Sequence, residues 1–266
     1  MVNVTKASGE KQPFNSRKLF ATIKEAGASN KLTRETIELV KPKIYEGIST
    51  KEILQIILKN LKKEKGVSQR YRLKQAIMEL GPTGFPFEQY FAKILEEYGY
   101  TTKTDQKIKG KIITHEIDVI ATKENKTYMI ECKYHNDSGK FTSLHPAMYT
   151  YARFLDVKKF DFPWLSTNTK CSDDAVNYAK GVNMKVTSWN YPKNESLKKL
   201  IEQKNIFPIT ILNSLTKETK EKLHERKIST IKQLRQMNYF ELSRQIKISE
   251  KEAERILNEI NDIENY

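Results

Sequence analysis

The segments Lys111-Ile-Ile-Thr-His-Glu-Ile-Asp-Val-Ile-Ala121 and Thr127-Tyr-Met-Ile-Glu-Cys-Lys-Tyr134 decide how the chain is read. Both are rich in the β-branched and aromatic residues that favour strands. In the first, Ile113, Ile117, Val119 and Ala121 fall on the more apolar face, so Asp118 points the other way. In the second, a period of two puts Glu131 and Lys133 on one face and Cys132 on the opposite one. The intervening Lys123-Glu-Asn-Lys126 is a polar turn, which predicts an antiparallel hairpin. There the side chains of Asp118 and Glu131 can converge on one ion, with the backbone carbonyl of Cys132 as a third oxygen donor. Hard oxygen donors suit Mg²⁺ or Mn²⁺. Such an ion activates water and offsets phosphate charge, and Lys133 stands where an ammonium can assist, so the pattern points to phosphodiester cleavage. The bland reading of the same residues is an ionic cluster on an exposed hairpin face.

The flanking sequence has the order of an α/β core. Phe87, Tyr90, Phe91, Ile94, Leu95 and Tyr98 make a helical stripe closed by Gly99, with Glu88 beside the stripe. Beyond the hairpin, Leu144 to Val157 reads as a helix and Phe162 to Ser166 as a strand; Ser172 to Lys180 is a second helix and Met184 to Thr187 a final strand. His145 and Tyr149 lie four apart near the start of the first of these helices, where His145 reads as a helix-start residue.

The segment Gly81 to Tyr100, the Glu116-Ile-Asp-Val-Ile-Ala121 strand and Ile130-Glu-Cys-Lys-Tyr134 together resemble the Mrr-like branch of the PD-(D/E)xK restriction-endonuclease-like superfamily, over roughly residues 80 to 195. The resemblance implies a metal-dependent endonuclease core with a mixed sheet. By it, Asp118, Glu131 and Lys133 form the catalytic motif and Glu88, from the opening helix, joins the metal site. Without it, Glu88 is an ordinary acid near a helix N-terminus.

Composition bounds the remainder. At 266 residues the chain exceeds the commonest domain size of roughly 100–150 residues, so two or three domains are expected. The net charge is +14, and residues 1–80, with 17 basic and 8 acidic side chains, hold +9 of it. That surface favours polyanions, either nucleic acid or nucleotide phosphates. The first ten residues lack the apolar core of a signal peptide and no stretch approaches a membrane span, so a cytoplasmic protein without membrane partners is expected. Cys132 and Cys171 are expected as reduced thiols, and the histidines at 115, 135, 145 and 224 form no ligand pattern.

Residues 1–80 begin with a short β-like Val2 to Lys6 and a Ser8-Gly9 turn. Four helices are then predicted: one capped by Asn15 or Ser16 and ended by Gly27, one from Thr33 to Tyr45, one after the Ser49-Thr-Lys-Glu52 capping box, and one from Ser68 to Leu80. Val4-Thr-Lys6, Gly9, Pro13-Phe14, Arg17-Lys18-Leu19 and Ile48-Ser-Thr-Lys-Glu-Ile53 resemble the ATP-cone, a nucleotide-sensing module. That resemblance implies ATP or dATP as a regulatory ligand, with Lys6 and Lys18 on phosphates and Thr50 at the pocket. Two positions depart from it, Ala7 and Ser8, where a basic residue and an aspartate are usual. The competing reading is a small basic helical domain on DNA.

After an expected linker at 196–207, residues 208–266 read as wholly helical, with Ser249-Glu-Lys-Glu252 capping a last helix. The spacings look like a helix-hairpin-helix module. The hairpin places hold Lys227-Ile228 and Ile246-Lys-Ile248 where glycines would let a backbone approach phosphates, so an oligomerisation role stands beside DNA binding.

The sequence therefore predicts a multidomain α/β protein: an ATP-cone of a small β-hairpin plus four helices at 1–80, a nuclease core at 81–195 and an all-α module at 208–266. The expected partners are double-stranded DNA, a nucleotide effector and a second copy of the chain. The expected role is restriction of foreign DNA; the alternatives are a nucleotide-responsive DNA-binding regulator without cleavage and a repair or junction nuclease.

Overall fold

A computed structural model describes residues 2–137 and 139–264; the outermost residues of the first and last expected segments lie outside these. The chain divides into two compact units. One comprises residues 1–76, 210–220 and 234–266, the other 77–209 and 221–233.

The first unit opens with antiparallel β1 (Asn3–Thr5) and β2 (Lys11–Pro13). Then follow α1 (Ser16–Glu25), α2 (Asn30–Val40), α3 (Thr50–Leu61), α4 (Val67–Tyr71) and α5 (Leu73–Met78), whose last two residues belong to the second unit. Asn15 caps α1, and the Ser49/Glu52 capping box opens α3 with both of its hydrogen bonds formed. The fourth predicted helix is two helices parted at Arg72. Leu19, Ile23, Leu32, Ile37, Val40, Ile53, Ile57 and Leu61, each on the buried face of its helix, close the core of this unit.

In the second unit, α6 (Phe85–Glu97) precedes β3 (Thr101–Lys109), β4 (Thr114–Lys123), β5 (Lys126–Lys133) and the short β6 (Phe141–Thr142). Then come α7 (Leu144–Val157), β7 (Phe162–Thr167), β8 (Lys170–Cys171), α8 (Asp173–Gly181), β9 (Lys185–Thr187) and α9 (Leu197–Lys204). Five strands form a mixed sheet in the order β3-β4-β5-β7-β9. The first three are antiparallel neighbours, while β5, β7 and β9 are parallel, joined by crossovers through α7 and α8. Glu124 and Asn125 both have positive φ in the β4–β5 turn, as a two-residue hairpin loop requires.

Phe87, Tyr90 and Phe91 are fully buried on α6, each burial favouring the fold by roughly 1.5–3 kcal/mol. The Phe91 ring meets Trp164 of β7 edge-on, with centroids 5.7 Å apart. Tyr90 donates its hydroxyl to the Ile206 carbonyl at 2.6 Å.

Two expectations are corrected, and one strand is added that the sequence did not announce. The first strand of the hairpin starts at Thr114 rather than Lys111, and Ile113, read as part of an apolar face, is exposed. An additional strand, β3, pairs with it at the sheet edge; Thr-Thr-Lys-Thr-Asp-Gln-Lys-Ile-Lys is too polar to announce a strand, because an edge strand buries little. Residues 196–207 are not a linker: Ser196 caps α9, and Leu197, Leu200 and Ile201 are buried. Their apolar positions are too few to outweigh the surrounding lysines in a sequence reading.

The C-terminal residues form α10 (Lys217–Glu225), α11 (Ile231–Arg235), α12 (Tyr239–Ile246) and α13 (Glu250–Glu264). Lys227 and Lys247 have φ of +56° and +52°, at the hairpin places where glycine was missed. Expected as one module, this region contributes to both units. Within the first, α13 packs on α4: Gln69 donates to Glu259 at 3.0 Å, and Arg70 donates to the Ile263 carbonyl at 2.6 Å. Glu259 also accepts the backbone N–H groups of Asn213 and Ser214, both at 2.8 Å.

Candidate active site

The ladder between β4 and β5 runs from Lys123↔Lys126 to Val119↔Ile130. One step further, Asp118 and Glu131 face the gap, and a side chain takes over from the ladder: the Cys132 N–H donates to Asp118 Oδ2 at 2.7 Å. On its other side β5 keeps its parallel pairing with β7, Glu131 opposite Leu165 and Lys133 opposite Thr167. The sheet thus fixes where both carboxylates and the lysine leave the backbone.

Burial dominates the electrostatics of this gap. Glu131 is pushed up to about 7, first by burial and then by the Asp118 charge, against the opposing pull of Arg153 and Lys133. Glu88, in the first turn of α6, is also pushed to about 7, by burial and by Asp118 and Glu131. Asp118 rises as well, by burial, with the Cys132 N–H and Arg153 holding it back. Glu88 therefore feels both Asp118 and Glu131, and Glu131 feels Asp118, which places the three in one electrostatic group. Close approach at Gly84 accommodates Glu88, since a Cβ there would meet its Oε1 at 3.3 Å.

Arg153 of α7 is the residue at this site that sequence reasoning missed. It donates to Glu131 Oε2, and both side chains are largely buried. Its guanidinium sits over the Tyr149 ring, 5.2 Å from the centroid. The signal was present: His145, Tyr149 and Arg153 follow at intervals of four on one helix face. His145 itself is exposed on the first turn of α7.

A second group, also missed, fixes the chain as it leaves Lys133. Asn168 accepts the His135 N–H at 2.9 Å and donates to the His135 carbonyl at 2.6 Å. The His135 ring lies 3.1 Å from the Thr142 hydroxyl, which donates to Thr167 at 2.9 Å. Thr142, Thr167 and Asn168 are buried, and the Tyr134 hydroxyl donates to the Met78 carbonyl at 2.7 Å. Only the fold brings these residues together, so spacing gave no warning of them.

The donor set fits a hard divalent cation in kind: oxygens of Asp118 and Glu131, whose mutual repulsion a cation would relieve. Among the described residues, no group of three or more His, Cys, Asp and Glu side chains stands close enough to hold an ion. Arg153 takes one oxygen of Glu131 instead.

In the other unit, Lys6 follows β1 and pairs with Glu10 at 2.9 Å. A parallel bridge joins Thr5 to Ser49, so Lys6 and Thr50 each lie one residue beyond a paired position. Lys18 stands in the first turn of α1, its backbone N–H bound to Asn15. No helix among the described residues is long and apolar enough to cross a membrane.

Family models agree with this architecture. The ATP cone domain model matches residues 2–77, the restriction endonuclease model 82–194 and the AF1548-like C-terminal model 207–264. A protein of Archaeoglobus fulgidus, described as uncharacterized, is 50% identical over 123 residues, which cover 46% of this chain and 70% of that one. The crystal structure of AF1548, a protein of unknown function, aligns with a TM-score of 0.62 and 38% identity over 69% of this chain and all of its own. Can2 from Sulfobacillus thermosulfidooxidans, solved in complex with cyclic tetra-adenylate, aligns at 14% identity over 74% of this chain and 64% of its own, but its TM-score of 0.35 is too low for a shared overall fold. With an ATP cone, a restriction endonuclease domain and an AF1548-like C-terminal domain in that order, the chain belongs to the AF1548-like family of Mrr-type restriction endonuclease proteins.

Proposed function

We propose that the protein is a divalent-metal-dependent DNA endonuclease acting in restriction of foreign DNA and regulated by ATP or dATP on its cone. The observation that carries this reading is the electrostatic grouping of Asp118, Glu131 and Glu88 beside Lys133 where β4 and β5 part.

Asp118 and Glu131, with the Cys132 carbonyl, would hold Mg²⁺ or Mn²⁺, which when bound supplies Lewis-acid activation of water and phosphate. The Cys132 amide orients Asp118. Lys133 orients the attacking water and offsets charge on the phosphate in the transition state. Glu88, half protonated near neutral pH, can exchange a proton at the edge of the site. Arg153 sets the rotamer of Glu131 and lowers its cost of burial.

Lys6 and Lys18 would meet nucleotide phosphates, and Thr50, at the start of α3, would lie at the pocket. The division of labour follows the segments 1–80, 81–195 and 208–266.

The Arg153–Glu131 pair favours a second reading, a nucleotide-responsive DNA-binding regulator in which the carboxylates serve structure alone. Plasmid DNA incubated with the purified protein and Mg²⁺, with and without ATP or dATP, separates the two. Nicking or linearisation that needs Mg²⁺ and disappears in Lys133→Ala supports the nuclease. DNA binding with no cleavage under any metal or nucleotide would leave the regulator.

A further inference from the structure

The tip between β3 and β4, Gly110 to Ile113, takes no part in the chemistry above, yet it is built with care. Ile112 is 82% exposed and Ile113 60%. Large apolar side chains at that exposure forfeit the burial that normally stabilises them. The backbone around them is held firmly. Asp156, near the end of α7, accepts the N–H of Ile112 at 2.8 Å and of Ile113 at 3.3 Å, and its carboxylate lies 2.8 Å from His115 Nε2. Its own carbonyl accepts the Lys111 N–H at 3.0 Å, and Gly110 donates to Ile113 at 2.8 Å. A Cβ on Gly110 would run into the Asp156 carboxylate, so the turn needs glycine. The two isoleucines are thus presented on a rigid mount.

Their surroundings are basic. Lys109 and Lys111 from the tip and Lys158 and Lys159 after α7 line a cleft of about 410 Å³ with Asp156 as its single acid. Lysines on an edge strand also deter sheet-to-sheet pairing, which accounts for Lys103 and Lys107 further along β3. That duty explains neither the isoleucines nor the lysines after α7. Four lysines framing two apolar side chains match a polyanion with a stacked apolar interior, which is duplex DNA, better than an apolar protein surface.

Position agrees with this. Because β4 and β5 are antiparallel, the tip stands at the same end of the sheet as Lys133. Six residues separate Ile112 from Asp118, at most roughly 20 Å of extended chain. That is less than one helical turn, roughly 34 Å, so the tip and the site can meet the same stretch of duplex.

We propose that the β3–β4 tip is a minor-groove wedge for duplex DNA: Lys109, Lys111, Lys158 and Lys159 grip phosphates while Ile112 and Ile113 press between base pairs. The inference rests on the nuclease reading for its DNA substrate, and it is tested without cleavage. A duplex of about 30 base pairs carrying 2-aminopurine is titrated with the full chain in EDTA, following anisotropy and 2-aminopurine fluorescence. Wild type should raise the fluorescence as stacking opens. Ile112→Ala/Ile113→Ala should abolish that rise and weaken binding at least about fivefold, since the variant loses the apolar contact with base pairs that offsets unstacking. Lys109→Ala/Lys111→Ala should lower the slope of log K against log salt by about 2, at roughly 0.9 per phosphate contact.

Unchanged affinity and fluorescence in the isoleucine variant would overturn the wedge. So would a variant whose main change is conversion of a dimer to a monomer, which makes the tip a protein contact. Wedge-dependent binding in EDTA with no cleavage in Mg²⁺ retains the wedge and removes the nuclease reading; cleavage with tip-independent binding does the reverse. Thermal melting shows that the variants are folded.

Discussion

The Cys132 amide nitrogen lies 2.7 Å from Asp118 Oδ2, so the strand that carries Glu131 also orients the carboxylate on its neighbour. Asp118→Asn keeps an oxygen that can accept this hydrogen bond, whereas Asp118→Ala leaves a buried N–H without a partner, at a cost of roughly 1–3 kcal/mol. Both variants should lose metal-dependent cleavage by at least about a hundredfold. Only the alanine variant should also unfold at lower urea. Equal midpoints for the two would show that the amide bond does not hold the site.

Arg153 and Glu131 form a largely buried pair. Arg153→Met strands a buried carboxylate and should destabilise the protein by roughly 3–5 kcal/mol, as breakage of such pairs does. Adding Glu131→Gln should restore most of that loss while activity stays absent. A double-mutant cycle in urea measures the coupling, and additive losses would count against the pair.

On the cone, Lys6 pairs with Glu10 at 2.9 Å. Lys6→Ala and Lys18→Ala should each weaken ATP or dATP binding by about tenfold or more, the scale of one charge-assisted phosphate contact. Isothermal titration calorimetry reads the effect. Glu10→Gln should tighten binding, because the carboxylate no longer competes for the Lys6 ammonium. Wild-type affinity in both lysine variants would return residues 1–80 to the reading of a plain basic surface.

Burial raises the Glu259 carboxyl, but hydrogen bonds from Gln69, Asn213 and Ser214 outweigh it and hold the group below its ordinary value. A depressed folded-state pKa adds stability that is full above the unfolded value of about 4.3 and fades as pH falls through the folded value. Melting of the first unit should therefore drop as pH falls from about 4.3 through the lower folded value. Glu259→Gln should lower the melting temperature at pH 7 and flatten this acid limb. An unchanged pH profile in Glu259→Gln would remove the carboxylate from the account.

The α/β core was legible because its signals are local. Alternation over Ile117 to Ala121, the turn at Lys123 to Lys126 and the stripe from Phe87 to Leu95 each depend on near neighbours in sequence. The capping box at Ser49 was legible for the same reason. What escaped was non-local or polar. Arg153 meets Glu131 across 22 residues, and Asn168 braces His135 across 33. Strand β3 hid because half its side chains face solvent. The C-terminal helices were read correctly as helices, but their partition between two units depends on tertiary contacts that no periodicity encodes.

Gln69 and Glu259, joined in the first unit, are 190 residues apart. At a translation speed of about 5–20 residues per second, the ribosome delivers the second partner roughly 10–40 s after the first. The sheet of the second unit, whose strands end at Thr187, is fully synthesised well within that interval. The first unit to begin on the ribosome is thus the last to be finished, and its α4 surface must wait, with Gln69 and Arg70 lacking their partners on α13, while the sheet that carries Asp118 and Glu131 is made.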